Sequence, residues 1–311
     1  MSPRNNTTEK ATRPSAGRVQ LRPRVWITLV CLFGLGFGAR SLWRNQVPGI
    51  AQKPQYRLKI ENIHITPPPP WIRTDIKAEA LRDAGLVGNL SVLDDWDEFS
   101  SRVKSAFELH PWVATVERIS KRLPSALDIE LKYRRPIAAV ELSDASGVTL
   151  LPIDEHAVRL PEGDLTEVER RYLPRIAGVN GRPLVGDTWM DARVVGGAKL
   201  AAALADIWQK LRLVEILAHV EPNSPGGEAA CSFEIVTSGG TRIVWGTAPG
   251  KEAVAQESSA DEKRKRLLEY VSKHDHLGSI NGPAELDIRN DLVVKPRTAR
   301  RQPADGAGAI K

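Results

Sequence analysis

Cysteine is scarce in this chain: Cys31 and Cys231 are the only 2 in 311 residues. Two such distant thiols build no disulfide framework and no CxxC metal site. A disulfide needs closely placed Cα atoms, so a Cys31 held in lipid could not pair with Cys231. A domain of this size needs no covalent staple to keep its core, and cysteine usage leaves the compartment open. Catalytic signatures are missing as well. The sequence holds no nucleophile elbow, no HExxH, no P-loop and no GxGxxG, which weighs against an enzyme. An envelope enzyme, such as a membrane-anchored peptidoglycan hydrolase, would need a carboxylate pair or metal cluster converging in a cleft. His274-Asp275-His276 lacks a further ligand cluster and reads as solvated. Asp94, Asp95 and Asp97 read as helix-capping residues. No cofactor or metal is expected, and no internal repeat is evident.

What is present is a foldable composition, 41% hydrophobic and 26% charged, with a net charge of +6. Much of the excess is local. Arg4, Lys10, Arg13, Arg18, Arg22 and Arg24 face only Glu9, so the charge argues against a nucleic-acid partner and for a membrane surface. From Val25 to Ala39 the chain carries no charge. The pattern predicts a transmembrane helix over 25–43, roughly 28 Å long, close to the hydrocarbon thickness of a bilayer. Val25, Trp26 and Trp43 would anchor its ends. The basic segment 1–24 then stays in the cytoplasm and the rest is exported. A cleavable signal peptide and a buried core helix are the competing readings; Gly36-Phe37-Gly38 and Gly38-Ala39-Arg40 are poor cleavage sites.

Residues 44–55 read as a linker. Tyr56 to Ile65 reads as a strand and Pro67 to Pro70 as a rigid break. A helix capped by Thr74 runs through Ala84. A second follows Asp95, with Phe99, Val103 and Phe107 on one face. Trp112 to Ile119 reads as a strand. Leu127, Ile129, Leu131 and Tyr133 alternate with Asp128, Glu130, Lys132 and Arg134, the pattern of a strand with one buried face. The order β-α-α-β-β over 56–135 predicts two helices on a three-stranded sheet. Over 136–297 the reading is a mixed β domain with flanking helices. It contains strands at Ile137–Leu142 and Val148–Leu151, a helix over Val194–Leu213, a hairpin of Cys231–Thr237 with Thr241–Trp245, and a helix over Glu262–Lys273. Strands at Ala284–Arg289 and Leu292–Lys295 close it, joined at Asn290-Asp291. Lys263-Arg264-Lys265-Arg266 reads as a solvated basic face. Residues 298–311 read as a disordered tail. The fold class is thus α+β behind one N-terminal transmembrane helix.

Several runs carry a resemblance. Pro111-Trp112-Val113, Val116, Arg122-Leu123-Pro124, Leu127-Asp128-Ile129 and Arg135-Pro136-Ile137-Ala138 stand in the order of one junction. Leu173-Pro174-Arg175-Ile176-Ala177-Gly178, Gly240 to Gly246 followed by Lys263 to Leu268, and Leu286-Asp287-Ile288-Arg289 follow it. Together they resemble the bacterial cell-division family FtsQ/DivIB over roughly residues 20 to 297. The departures are Asn290 where the family usually has an aromatic, a shortened turn at Asn290-Asp291, and Pro67–Pro70 in place of a Gly-containing loop. The resemblance implies a single-pass protein of the cytoplasmic membrane at the division septum, with a POTRA domain and a β domain outside. It also implies a scaffolding role in septal cell-wall synthesis, with FtsB/FtsL (DivIC/FtsL)-like coiled-coil partners. The C-terminal strands would receive the partner through a sheet edge, placing Asp287, Arg289, Asn290, Leu292 and Val294 at the site. Tyr56, Leu58 and Ile60 would form a second, POTRA edge. A POTRA-bearing outer-membrane assembly factor is the rival, but it would need further POTRA units or a strand-rich barrel.

Overall fold

The alternation over 127–131 sets the first sheet. Leu127, Ile129 and Leu131 are buried while Glu130 and Lys132 face solvent. In the computed structural model, residues 32–38, 40–41, 58–87, 90–91, 95–122, 125–144, 147–221, 230–274 and 277–297 are described. The chain divides into two units, Met1–Tyr56 and Arg57–Lys311.

In the first unit, residues 32–38 are helical and largely exposed. The spanning helix expected over 25–43 is not found: among the described residues, no helix is long and apolar enough to cross a membrane. The described helical residues there are 32–38 and 40–41. Gly34, Gly36 and Gly38 weaken that stretch, each by about 1 kcal/mol against alanine in a helix interior. Val25, Trp26, Trp43, the 44–55 linker and Tyr56 lie outside the described residues, as do 1–24 and 298–311.

In the second unit, strands β1 (Ile63–Ile65), β2 (Val113–Arg122) and β3 (Ala126–Tyr133) form a sheet of order β1-β3-β2. β1 runs parallel to β3, and β2 antiparallel to it. Helices α1 (Ile76–Asp83) and α2 (Trp96–Glu108) supply the buried Ile76, Leu81, Phe99, Val103 and Phe107. Asp95 caps α2 by accepting from the Asp97 and Glu98 amides. The cap of α1 is Asp75, which accepts from Ala78 N at 3.1 Å; Thr74 instead donates to Asp164 Oδ1 at 2.8 Å. The first strand is shorter than its sequence pattern. Leu58 is buried and its N–H goes to Leu90 O, and Ile60–Asn62 forms a 3₁₀ turn, so pairing begins only at Ile63.

The larger sheet contains β4 (Ala138–Asp144), β5 (Gly147–Ile153), β6 (Arg175–Ala177), β7 (Leu213–Glu221), β8 (Ala230–Thr237), β9 (Arg242–Thr247), β10 (Glu285–Asp287) and β11 (Val293–Lys295). Its order is β11-β10-β9-β8-β7-β6-β4-β5. The helices of this region are α3 (Glu167–Arg171), α4 (Ala192–Ala203), α5 (Glu252–Ala255) and α6 (Ala260–His274). Val194, Ala198, Leu267 and Tyr270 from α4 and α6 share one core with Ile216, Phe233, Ile235, Trp245 and Leu286 from the sheet. The approach of α4 depends on glycine. A Cβ on Gly196 would stand 2.4 Å from the Phe233 ring. The helix expected over 194–213 stops at Ala203, although Leu200, Leu204, Ile207 and Leu211 are all buried. At Arg212 the backbone turns left-handed, with φ 52, and β7 begins at the next residue.

Two buried aspartates join the sheets. Asp164 Oδ2 accepts from Trp112 Nε1 at 2.5 Å, and its Oδ1 accepts from Arg73 N at 3.1 Å and from Thr74 Oγ1. Asp154 Oδ2 pairs with Arg134 Nη1 at 2.7 Å, while its Oδ1 accepts from Val158 N.

Candidate functional site: the C-terminal sheet edge

β11 ends the larger sheet, and among the described residues no strand pairs with its outer side. Its register puts Val293 opposite Asp287, Val294 opposite Leu286 and Lys295 opposite Glu285. Lys295 C=O accepts from Ala284 N at 2.9 Å, so Lys295 faces β10. Backbone groups of successive strand residues point to opposite sides; Val294 N–H and C=O therefore point outward. Pro296 follows, with no N–H to offer. The side chains here are unusually bare for apolar residues: Leu292 is 40% exposed, Val293 50% and Val294 42%. An open strand edge carrying an apolar run is a template for strand addition.

The five residues expected at this site do not all lie on the edge. Val294 lies on it, and Leu292 stands just before β11. Asp287, Arg289 and Asn290 shape the turn that presents it. Arg289 Nη2 donates to Asp287 Oδ2 at 2.7 Å and Arg289 Nε to Asp287 Oδ1 at 3.1 Å, while Arg289 N also reaches Oδ1 at 3.1 Å. Asn290 Oδ1 and Arg289 C=O both accept from Ser258 N, each at 3.0 Å. The resemblance did not single out Val293; the unbroken apolar run Leu292-Val293-Val294 was the available signal.

Hydrogen bonds to Arg289 hold the Asp287 carboxyl below the ordinary carboxylate range, against the opposing effect of burial. A depressed folded value means that the pair stabilises the turn fully above the ordinary carboxylate range and loses that contribution as pH falls through the folded value. Amide exchange at Arg289 is therefore expected to accelerate on acidification beyond its intrinsic dependence. An Asp287→Asn variant should lack this extra acceleration; if both behave alike, the pair does not hold the turn.

Behind the edge stands a brace that the basic run conceals. Lys263 is 0% exposed. Its Nζ donates to Glu257 Oε2 at 2.6 Å and lies 5.4 Å from the Trp245 ring centroid. The same Glu257 oxygen accepts from Thr247 N and Thr247 Oγ1, each at 2.9 Å. Gly246, at φ +87, leaves room for that carboxylate, since a Cβ there would lie 2.4 Å from it. One turn further along α6, Arg266 Nη1 donates to Ile288 C=O at 2.6 Å. The run expected to be a solvated face thus includes a buried cation and a backbone ligand of the β10–β11 turn.

The smaller sheet offers less. Leu58 is buried and Ile60 lies in the 3₁₀ turn, so neither is on the strand edge. That edge is Ile63–Ile65, where Lys77 Nζ already donates to Ile63 C=O at 3.2 Å. Among the described residues no group of three or more His, Cys, Asp or Glu could hold a metal. No protein-family model matches the chain, and no curated protein matches it.

Proposed function

We propose that this chain is a non-catalytic protein-binding scaffold of the envelope, acting outside the cytoplasmic membrane at the division septum as the FtsQ/DivIB resemblance implies. Its C-terminal edge takes a strand from an FtsB/FtsL (DivIC/FtsL)-like coiled-coil partner. The observation that carries this reading is β11: an end strand with outward backbone groups at Val294, flanked by the exposed Leu292 and Val293. Backbone pairing supplies affinity in strand addition, and the side chains select the partner. The brace from Glu257 to Arg266 supports the reading, because a template must be held still to lower the ordering cost of binding.

The test is co-purification of the full-length protein with its native partners beside a Val294→Pro variant. Proline there deletes an outward donor and spares the ladder to β10. Small coiled-coil partners are expected with the wild type and are lost, by about tenfold or more, with the folded variant. Equal recovery from both would remove the edge from the proposal. Recovery of a peptidoglycan-cleaving activity or of an outer-membrane barrel protein, without coiled-coil partners, would overturn the scaffold reading itself.

A further inference from the structure

The far end of the same sheet is also an edge. In β5, Leu151 lies opposite Val140 and Leu150 opposite Glu141. Ala139 N donates to Pro174 C=O, toward β6, and Pro152 C=O accepts from Leu160 N on the outer side of β5. Alternation of backbone direction then turns the N–H and C=O groups of Val148 and Leu150 outward. The segment that covers β5 at Pro152 and Ile153 does not continue to them: the bridge of Ile153 with Arg159 ends the contact. Val148 is 63% exposed, and among the described residues no strand pairs with this side.

A groove of about 670 Å³ crosses the face of the sheet from this edge inward, lined by Val148 and Leu150 of β5, Glu141 of β4, Arg175 of β6 and Arg170 of α3 among others. Its carboxylates are already engaged. Glu141 pairs with Arg175 at 3.1 Å, Glu167 with Arg171, and nearby Glu162 with Arg159 and Arg182. Arg170 differs. Among the described residues its guanidinium meets no carboxylate, only the Glu162 C=O at 3.4 Å. Of the arginines lining the groove, Arg170 alone has no carboxylate partner among the described residues, and α3 positions it beside an open strand.

We propose that the outer edge of β5 is a second strand-addition site, taking an extended segment of a partner protein whose acidic side chain pairs with Arg170. This site is independent of β11. It gives the eight-stranded sheet a binding edge at each end, so that one rigid sheet can hold two extended segments.

The test uses the full chain and two synthetic probes, short peptides of alternating threonine and valine that differ only in a central glutamate or lysine. Hydrogen exchange is followed at individual amides. The glutamate peptide is expected to protect Val148 and Leu150, and the lysine peptide to do so more weakly. Arg170→Glu should weaken the glutamate peptide by about fivefold and reverse the preference. That reversal is a readout that damage to α3 would not produce. Val148→Pro should abolish protection of Leu150. The proposal is overturned if neither peptide protects these amides, if Arg170→Glu leaves the preference unchanged, or if protection arises at Val294 alone. Protection that appears without peptide and grows with protein concentration would also overturn it, by making the edge a contact between copies.

Discussion

Replacing Glu257 with alanine is expected to destabilise the protein by about 3–5 kcal/mol, the usual cost of leaving a buried charge without its partner. Lys263 is fully enclosed, and its ammonium has Glu257 and the Trp245 ring around it. Removing the carboxylate leaves that ammonium desolvated and also strips the acceptor from Thr247 N and Oγ1. Urea denaturation followed by circular dichroism gives the magnitude. The companion experiment is the pair Glu257→Leu with Lys263→Met. Apolar replacement of both partners of a buried pair is often close to neutral, so the double variant should recover about half of the loss or more. The remainder reflects the two Thr247 donors. A single variant within about 1 kcal/mol of wild type would mean that water reaches Lys263 and that the brace is not a closed site. A double variant no better than the single one would make packing, not charge, the source of the loss.

Trp112→Ala is expected to cost a further-reaching 3–5 kcal/mol, roughly the range for emptying a buried aromatic site, and to uncouple the two sheets. Trp112 is fully buried, and its indole N–H is one of the donors that satisfy Asp164. Arg73, which gives its backbone N–H to Asp164 Oδ1, also reaches Glu169 on α3 at 3.0 Å. Loss of the tryptophan therefore opens a cavity in one sheet's core and weakens the polar joint to the other. The wild type should unfold in one transition by near-ultraviolet and far-ultraviolet dichroism alike; Trp112→Ala should give two. Trp112→Phe keeps most of the volume and loses only the donor, so about 1–3 kcal/mol is expected from it. If Phe and Ala cost the same, the hydrogen bond carries the effect; if Phe is silent, the joint does not depend on it.

The parts legible in the sequence were those where side-chain period and burial agree. Leu127, Ile129 and Leu131 announced β3, and Phe99, Val103 and Phe107 announced α2, because each set is buried by its own element's geometry. Leu292 and Val294 were singled out by the family resemblance and not by period, since Val293 between them is as exposed as they are. What was not legible depended on partners distant in sequence or on backbone conformations that residue type does not signal. The left-handed Arg212 let a helical stripe run into β7, whose residues Leu213 and Ile216 extend the same apolar spacing. β6 is only three residues long, too short for any period. Lys263 stood in a run of four basic residues, and only Glu257 and the bulge around Gly246 explain its burial. The apolar stretch after Val25 had the composition of a spanning helix but, where it is described, not the helical length.

Pro296 makes the β11 template finite. A chain that docks on Val294 finds no further donor at the next outward position, so pairing is capped after a few backbone bonds. Copies of the same chain meet the same limit, and with charged Lys295 beside it the edge resists the runaway stacking that long bare strands invite. On the proposed reading, a surface that accepts a partner's strand is thereby kept from polymerising, and selectivity against its own kind is written into the residue that ends the strand.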